Sequence, residues 1–163
     1  MIPGVMIAVV LTLSSHVADA GGDGCNPGAE AARQARAVAT GIIDADNARD
    51  IERVLRSYAA DAILMPPGEK SVLGREAIRP RYEEMFAAFD PRIEARVDEA
   101  CAAEGIAFVR GHNGGRLVPR HGGDARELDD AYLMVLRREG DGEWRISHLM
   151  WHRASAPGRK DAK

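Results

Sequence analysis

From Pro91 onward the apolar residues stop recurring at helical spacing and begin to alternate. That single change of period limits the folds open to the chain. Before it, Ala35, Val38, Ala39, Ile42 and Ile43 share one helical stripe, and Ile51, Val54, Leu55 and Tyr58 share a second. A third helical stretch opens at Gly74-Arg75-Glu76-Ala77-Ile78 and runs to about Phe89. After it, Ile93, Ala95 and Val97 alternate, and β-prone runs follow at Ile106–Val109, Arg116–Val118, Asp130–Arg138 and Trp144–His152. Helices first and a meander second predict an α+β fold, with the helices packed on one face of a curved antiparallel sheet.

Local signals set the expected boundaries. The first helix is predicted over Gly28–Ala45, broken by Asp44-Ala45-Asp46-Asn47, with Asp50 as the N-cap of a short second helix. Asp61–Met65 reads as a strand stopped by Pro66-Pro67-Gly68. Pro80 lacks an N–H and clashes one turn back, so a break is expected near Arg79 with the main third helix starting at Pro80. Asn113-Gly114-Gly115 reads as a hairpin turn, Pro119–Arg126 as a polar loop and Gly140-Asp141-Gly142 as a turn. The chain divides into residues 1–20, a flexible segment 21–29, one domain over 30–155 and a charged, disordered tail 156–163.

The length of 163 residues suits one domain with its own core. A net charge of −3 gives no electrostatic reason to expect nucleic acid as a partner. Val5–Leu13 is apolar except for Thr12 and is followed by Ala18-Asp19-Ala20, the pattern of a secretory signal cleaved after Ala20. The run is too short to span a bilayer, so no membrane association is expected after processing. Periplasmic or secreted localisation follows. Met1–Gly4 carries no Lys or Arg, and the competing readings are an N-terminal core helix or a mis-called start with a cytoplasmic protein. If the chain is exported, Cys25 and Cys101 can form a disulfide; in a reducing compartment they are a free thiol and a small buried residue.

Catalytic signatures are sparse. His148 and His152 are four apart, but on a strand four residues span ~13 Å, too far for one metal ion to bridge. Asp44-Ala45-Asp46-Asn47 opens like a calcium loop, yet its sixth and twelfth positions are Arg49 and Leu55, so the ligand set is missing. No phosphate loop, dinucleotide fingerprint or nucleophile elbow is present, and neither a metal site nor a cofactor is expected. What remains is a pocket under the sheet. Tyr58, Met65, Tyr82, Phe86, His112, Tyr132 and Trp151 are its expected ligand contacts, and Asp130 and His148 its expected acid–base residues, with His152 a further polar candidate. On an unbroken last strand Trp144, Ile146, His148, Met150 and His152 share one face, and Ser147, Leu149 and Trp151 the other, so His148 and Trp151 cannot line the same cavity. Both faces are apolar near the middle, which predicts that something, such as a second subunit, covers the outer one.

Tyr58–Gly68, Gly74–Ile78, and Asp141–Ile146 continuing through Met150-Trp151-His152 together resemble the SnoaL-like group of the nuclear transport factor 2-like superfamily, over about Ala31–Ser155. The resemblance implies a cone-shaped roll of the cystatin-like kind, a bent sheet wrapped around a long N-terminal helix, and a homodimer formed through the sheet's outer face. It implies a small apolar organic ligand and, among the superfamily's activities, cofactor-free isomerisation, dehydration or cyclisation; non-catalytic ligand-binding or dimerisation modules share the fold. The base and oxyanion-donor positions of ketosteroid isomerases fall on Pro66 and Ile42 here, neither of which can do that chemistry. Asp130 or a pocket histidine would be the base, with Tyr58 or Tyr132 as hydrogen-bond donor.

Overall fold

The structure, a computed structural model, describes residues 30–154; the expected signal segment, Cys25 and the tail lie outside them. Helix α1 spans Glu30–Ala48 and α2 Ile51–Arg56; strands β1 (Tyr58–Met65) and β2 (Val72–Leu73) precede α3 (Arg75–Ala88); then β3 (Phe89–Ala103), β4 (Ile106–Pro119), β5 (Arg126–Arg138) and β6 (Trp144–Arg153) complete the chain. The sheet runs β2-β1-β6-β5-β4-β3. Its order matches the expected meander, with one correction: β1 lies parallel to β6, so the sheet is mixed. The chain enters β1 and leaves through α3, and the helix carries it to the opposite edge, where β3 begins.

Helix α1 buries Ala35, Ala39, Ile42, Ile43 and Asp46 on one stripe and packs chiefly along β3. It does not break at Asp44. It runs on to Ala48 and ends where Arg49 takes a positive φ of 53°. There Asp50 N–H donates to Ala45 O at 3.0 Å and Arg49 N–H to Asp46 O at 2.9 Å, the paired bonds of a Schellman end. Asn47 holds the helix to the sheet's edge: its Nδ2 donates to Ile93 O and its Oδ1 accepts from Ile93 N–H, both at 2.8 Å. One amide thus replaces the missing strand beyond β3. Asp50 caps α2 as expected, accepting from Arg53 N–H at 2.9 Å.

Two further expectations are corrected. Pro80 lies inside α3 as its sixth residue, where it removes a single backbone bond and leaves the helix continuous. Asn113-Gly114-Gly115 lies within β4, opposite Ala95, Glu94 and Ile93; the turn is instead Glu104-Gly105, whose φ values of 50° and 82° suit a two-residue hairpin. Mid-strand glycine serves close approach. A Cβ on Gly115 would lie 2.1 Å from Arg92 O, and one on Gly111 2.1 Å from Arg96 O.

The last strand is not regular. Val135 pairs with His148 and Leu136 with Ile146, so Ser147 is an extra residue, and its hydroxyl donates to Val135 O at 3.1 Å. Across this bulge the faces change phase. Trp144 and Ile146 therefore join Leu149 on the inner side, against the face assignment that strict alternation predicts, while His148, Met150 and His152 point out.

Candidate functional site

The concave side of the sheet and helices α1 and α3 enclose a cavity of about 640 Å³, open at one side. Helix α1 contributes Ile42, Ile43 and Asp46; α3 contributes Tyr82 and Met85; β4 contributes Asn113 and Leu117; β5 contributes Leu128, Asp130, Tyr132 and Met134; β6 contributes Leu149 and Trp151. The exposed part of the wall is charged. Glu69, from the loop after β1, accepts from Arg81 of α3 at 2.7 Å, and Glu84 and Arg126 stand nearby on the same wall.

Three polar atoms on this apolar wall have no partner: Asp46 Oδ1, Asn113 Oδ1 and the Tyr132 hydroxyl. Buried polar groups are almost always paired, and each orphan costs ~1–3 kcal/mol. Asp46 carries the largest consequence. It is 7% exposed, and burial away from water pushes its carboxyl up to about 8. Desolvation also pushes the Tyr132 phenol up to about 12. Asp130, Asn113's cross-strand partner, is raised by burial as well, against the pull of Arg153 and Arg126. The Tyr82 hydroxyl lies 2.8 Å from that of Tyr58, which sits fully buried behind it; desolvation raises both phenols.

Four expected site residues meet at the cavity: Tyr82, Tyr132, Trp151 and Asp130. Tyr58 and Phe86 back the wall through Tyr82, Phe86 with its ring centroid 5.8 Å from that of Tyr82. The others are corrected. Met65 points outward beside Met150, because its neighbour Leu64 takes the inner side. His148 faces solvent on the outer side with its Nδ1 3.1 Å from Ser147 Oγ, so it cannot act as a base in the cavity. His112 is outside too, held by Asp98 and Arg96, and so is His152. Among the described residues no histidine lines the cavity. Cys101 is buried and disulfide-bonded; Cys25 lies outside the described residues.

Two cavity-wall residues with unpartnered atoms, Asp46 and Asn113, are not among the site residues that the sequence signals single out. Asp46 passed for part of a helix-ending turn, although it continues the stripe of Ala39, Ile42 and Ile43; a carboxylate at that spacing is a usable signal. Asn113 passed for a turn residue, although it keeps the inward alternation of Val109 and Gly111.

Comparison with known proteins agrees with this architecture. No curated protein matches the sequence. A ketosteroid isomerase-like protein from Erwinia carotovora is 23% identical and superposes with a TM-score of 0.71 over 78% of this chain and 98% of that one. An NTF2-like protein from Pseudomonas putida is 20% identical, with a TM-score of 0.62 over 85% of this chain and 93% of the other. A domain with a cystatin-like fold from Nostoc punctiforme is 20% identical, with a TM-score of 0.64 over 79% and 81% of the two chains. The family described as SnoaL-like domain matches residues 39–147, from the middle of α1 to the bulge of β6, and the chain belongs to that family.

Proposed function

We propose that the cavity binds a small, largely apolar organic molecule bearing at least one oxygen function, and that Asp46 exchanges a proton with it. The observation that carries this reading is the presence of unpartnered Asp46, Asn113 and Tyr132 atoms on one apolar wall. A ligand that pairs with them recovers part of the desolvation cost they carry. A carboxyl poised near pH 8 can hold a proton at neutrality and give or take it, the property required of a general acid–base group. Asp130, nearer the charged opening and flanked by Arg126 and Arg153, is the second carboxyl. Two carboxyls in unlike surroundings divide the acid and base roles.

The chemistry is cofactor-free proton transfer, as in isomerisation, dehydration or cyclisation, with the Tyr82 and Tyr132 hydroxyls orienting the substrate. The protein is exported after loss of its first twenty residues, and Cys25 pairs with Cys101. Two copies associate through the outer face, where Leu133 (37%) and Met150 (45%) stand exposed; light scattering at micromolar concentration tests the dimer. The decisive experiment is mass spectrometry of small molecules retained by the purified protein and by its Asp46→Asn and Tyr132→Phe variants. Retention that both substitutions weaken supports the reading. A wild type that retains nothing, and binds nothing from a library of apolar carbonyl and hydroxyl compounds, overturns it in favour of a non-catalytic dimerisation module.

A further inference from the structure

The charges at the cavity's opening are sorted by the element that carries them. On α3, Arg81 is held by both oxygens of Glu69, at 2.7 and 3.4 Å, and Glu84 is a further anion acting on it. That side has more negative charge than positive. On the sheet the balance is reversed. Arg126 lines the cavity from β5, Asp130 lies four residues along on the same face, and Arg153 of β6 is the cross-strand partner of Asp130. The acidic residues between them, Glu127 and Asp129, alternate onto the outer side, where they pair with Arg116 and Gly114 across the sheet.

Neither arginine on the sheet side is engaged. Arg126 and Arg153 make no hydrogen bond or ion pair among the described residues, and they act on Asp130 only as a longer-range attraction. Arg79, Arg110 and Arg145, by contrast, each hold a carboxylate at 2.6–2.7 Å. A guanidinium offers a planar fork of donors that matches the two oxygens of a carboxylate. Beyond Arg126 the same face of β5 presents Leu128, Tyr132 and Met134 to the cavity, so a cationic end leads onto an apolar wall. The row of Asn113 and Asp130 lies four residues along the strand from Arg126, ~13 Å.

We infer that the ligand of this cavity is an organic carboxylate, its anionic end held by Arg126 with Arg153 behind it, and its apolar body running along β5 toward Asn113 and Asp46. The inference rests on the small-molecule reading above and narrows it to compounds whose carboxylate lies several carbons away from the oxygen function that meets Asp46. The spacing along β5 leaves room for such a chain, and Arg126 stands on the inner side, away from the face through which two copies associate. A carboxylate at this position also offsets the pull of Arg126 on Asp130. Burial already raises the Asp130 carboxyl, and the added negative charge raises it further, which suits Asp130 to the acid role.

The test uses the full chain and titration calorimetry with benzoylalkanoates, in which a short methylene chain separates a ketone from a carboxylate, and with the matching primary amides. At low salt the best carboxylate binds ~5–10-fold tighter than its amide, and the advantage shrinks as salt screens the exposed pair. Arg126→Gln brings the carboxylate down to the affinity of the amide and leaves the amide unchanged; Arg126→Lys keeps part of the difference. Arg116→Gln removes the same charge from the outer side and leaves the preference intact. Both arginines are exposed, and thermal melting checks that the variants fold. Amides that bind as tightly as the carboxylates, a preference that survives Arg126→Gln, or one lost in Arg116→Gln overturn the carboxylate assignment and leave the small-molecule reading standing. Binding of neither series overturns the assignment too, and the library of neutral carbonyl and hydroxyl compounds then decides the broader reading separately.

Discussion

The hydroxyls of Tyr58 and Tyr82 lie 2.8 Å apart, one fully buried and the other on the cavity wall. Tyr58 has no other partner, so it donates to Tyr82 and leaves the Tyr82 hydrogen free to point into the cavity. Removing either hydroxyl has unequal effects. Tyr82→Phe strands the Tyr58 hydroxyl in the core and costs ~1–3 kcal/mol, whereas Tyr58→Phe loses only the net bond, ~0.5–1.5 kcal/mol. Urea unfolding of both variants measures the order; a Tyr58→Phe variant less stable than Tyr82→Phe rejects it.

Asp46 makes stability depend on pH in an unusual direction. Its carboxyl titrates at about 8 in the folded chain and at its ordinary 3.8 when unfolded. Between those values the folded state binds the extra proton, so stability is greatest below about pH 4 for this group and falls as pH rises toward 8. The loss is of the order of a few kcal/mol. Asp46→Asn removes this slope and is the more stable protein above pH 8. Melting temperatures of both proteins from pH 5 to 9 decide the matter, and parallel curves would count against it.

Asn47, one residue further on, has the opposite task. Its two bonds to Ile93 tie α1 to the open edge of β3, and Ile93 itself lines the cavity. Asn47→Ala is expected to cost ~1–3 kcal/mol and to speed hydrogen exchange at the Ile93 amide. Unchanged exchange there would mean the clasp carries no energy.

Gly111→Ala tests the glycine beside Tyr132. The new methyl would meet Arg96 O at 2.1 Å and the Tyr132 hydroxyl at 2.7 Å, so β3 must shift and the phenol must move as well. Overpacking of this kind costs ~1–3 kcal/mol or more. A thermal melt within a degree of wild type would show that the strands have more room than these distances imply.

The fold was legible because its evidence is local: stripes at helical spacing before Pro91, alternation after it, and Asp50 where a cap belongs. The errors share a different origin. The usual habits of Pro80, Asp46 and Asn113 are those of a helix breaker, a helix-ending turn residue and a hairpin turn former. Tertiary contacts overrode each habit: α3 tolerates one lost bond, the stripe of α1 carries Asp46 past its expected end, and β4 needs small residues where β3 comes close. His148 lies outside because the Ser147 bulge breaks the alternation that would place it with Trp144 and Ile146, and no local signal in the sequence marks a bulge.

Ser147 is the feature with the widest reach. By holding an additional backbone unit out of register, it lets a single ribbon change phase partway along: Trp144 and Ile146 stay with the core, while His148, Met150 and His152 are turned to the opposite side. Were Ser147 drawn into the regular ladder, everything beyond it would swap sides and carry greasy residues outward and basic or sulfur-bearing ones inward; deleting the position instead would leave an even zigzag with each remaining residue on its present side.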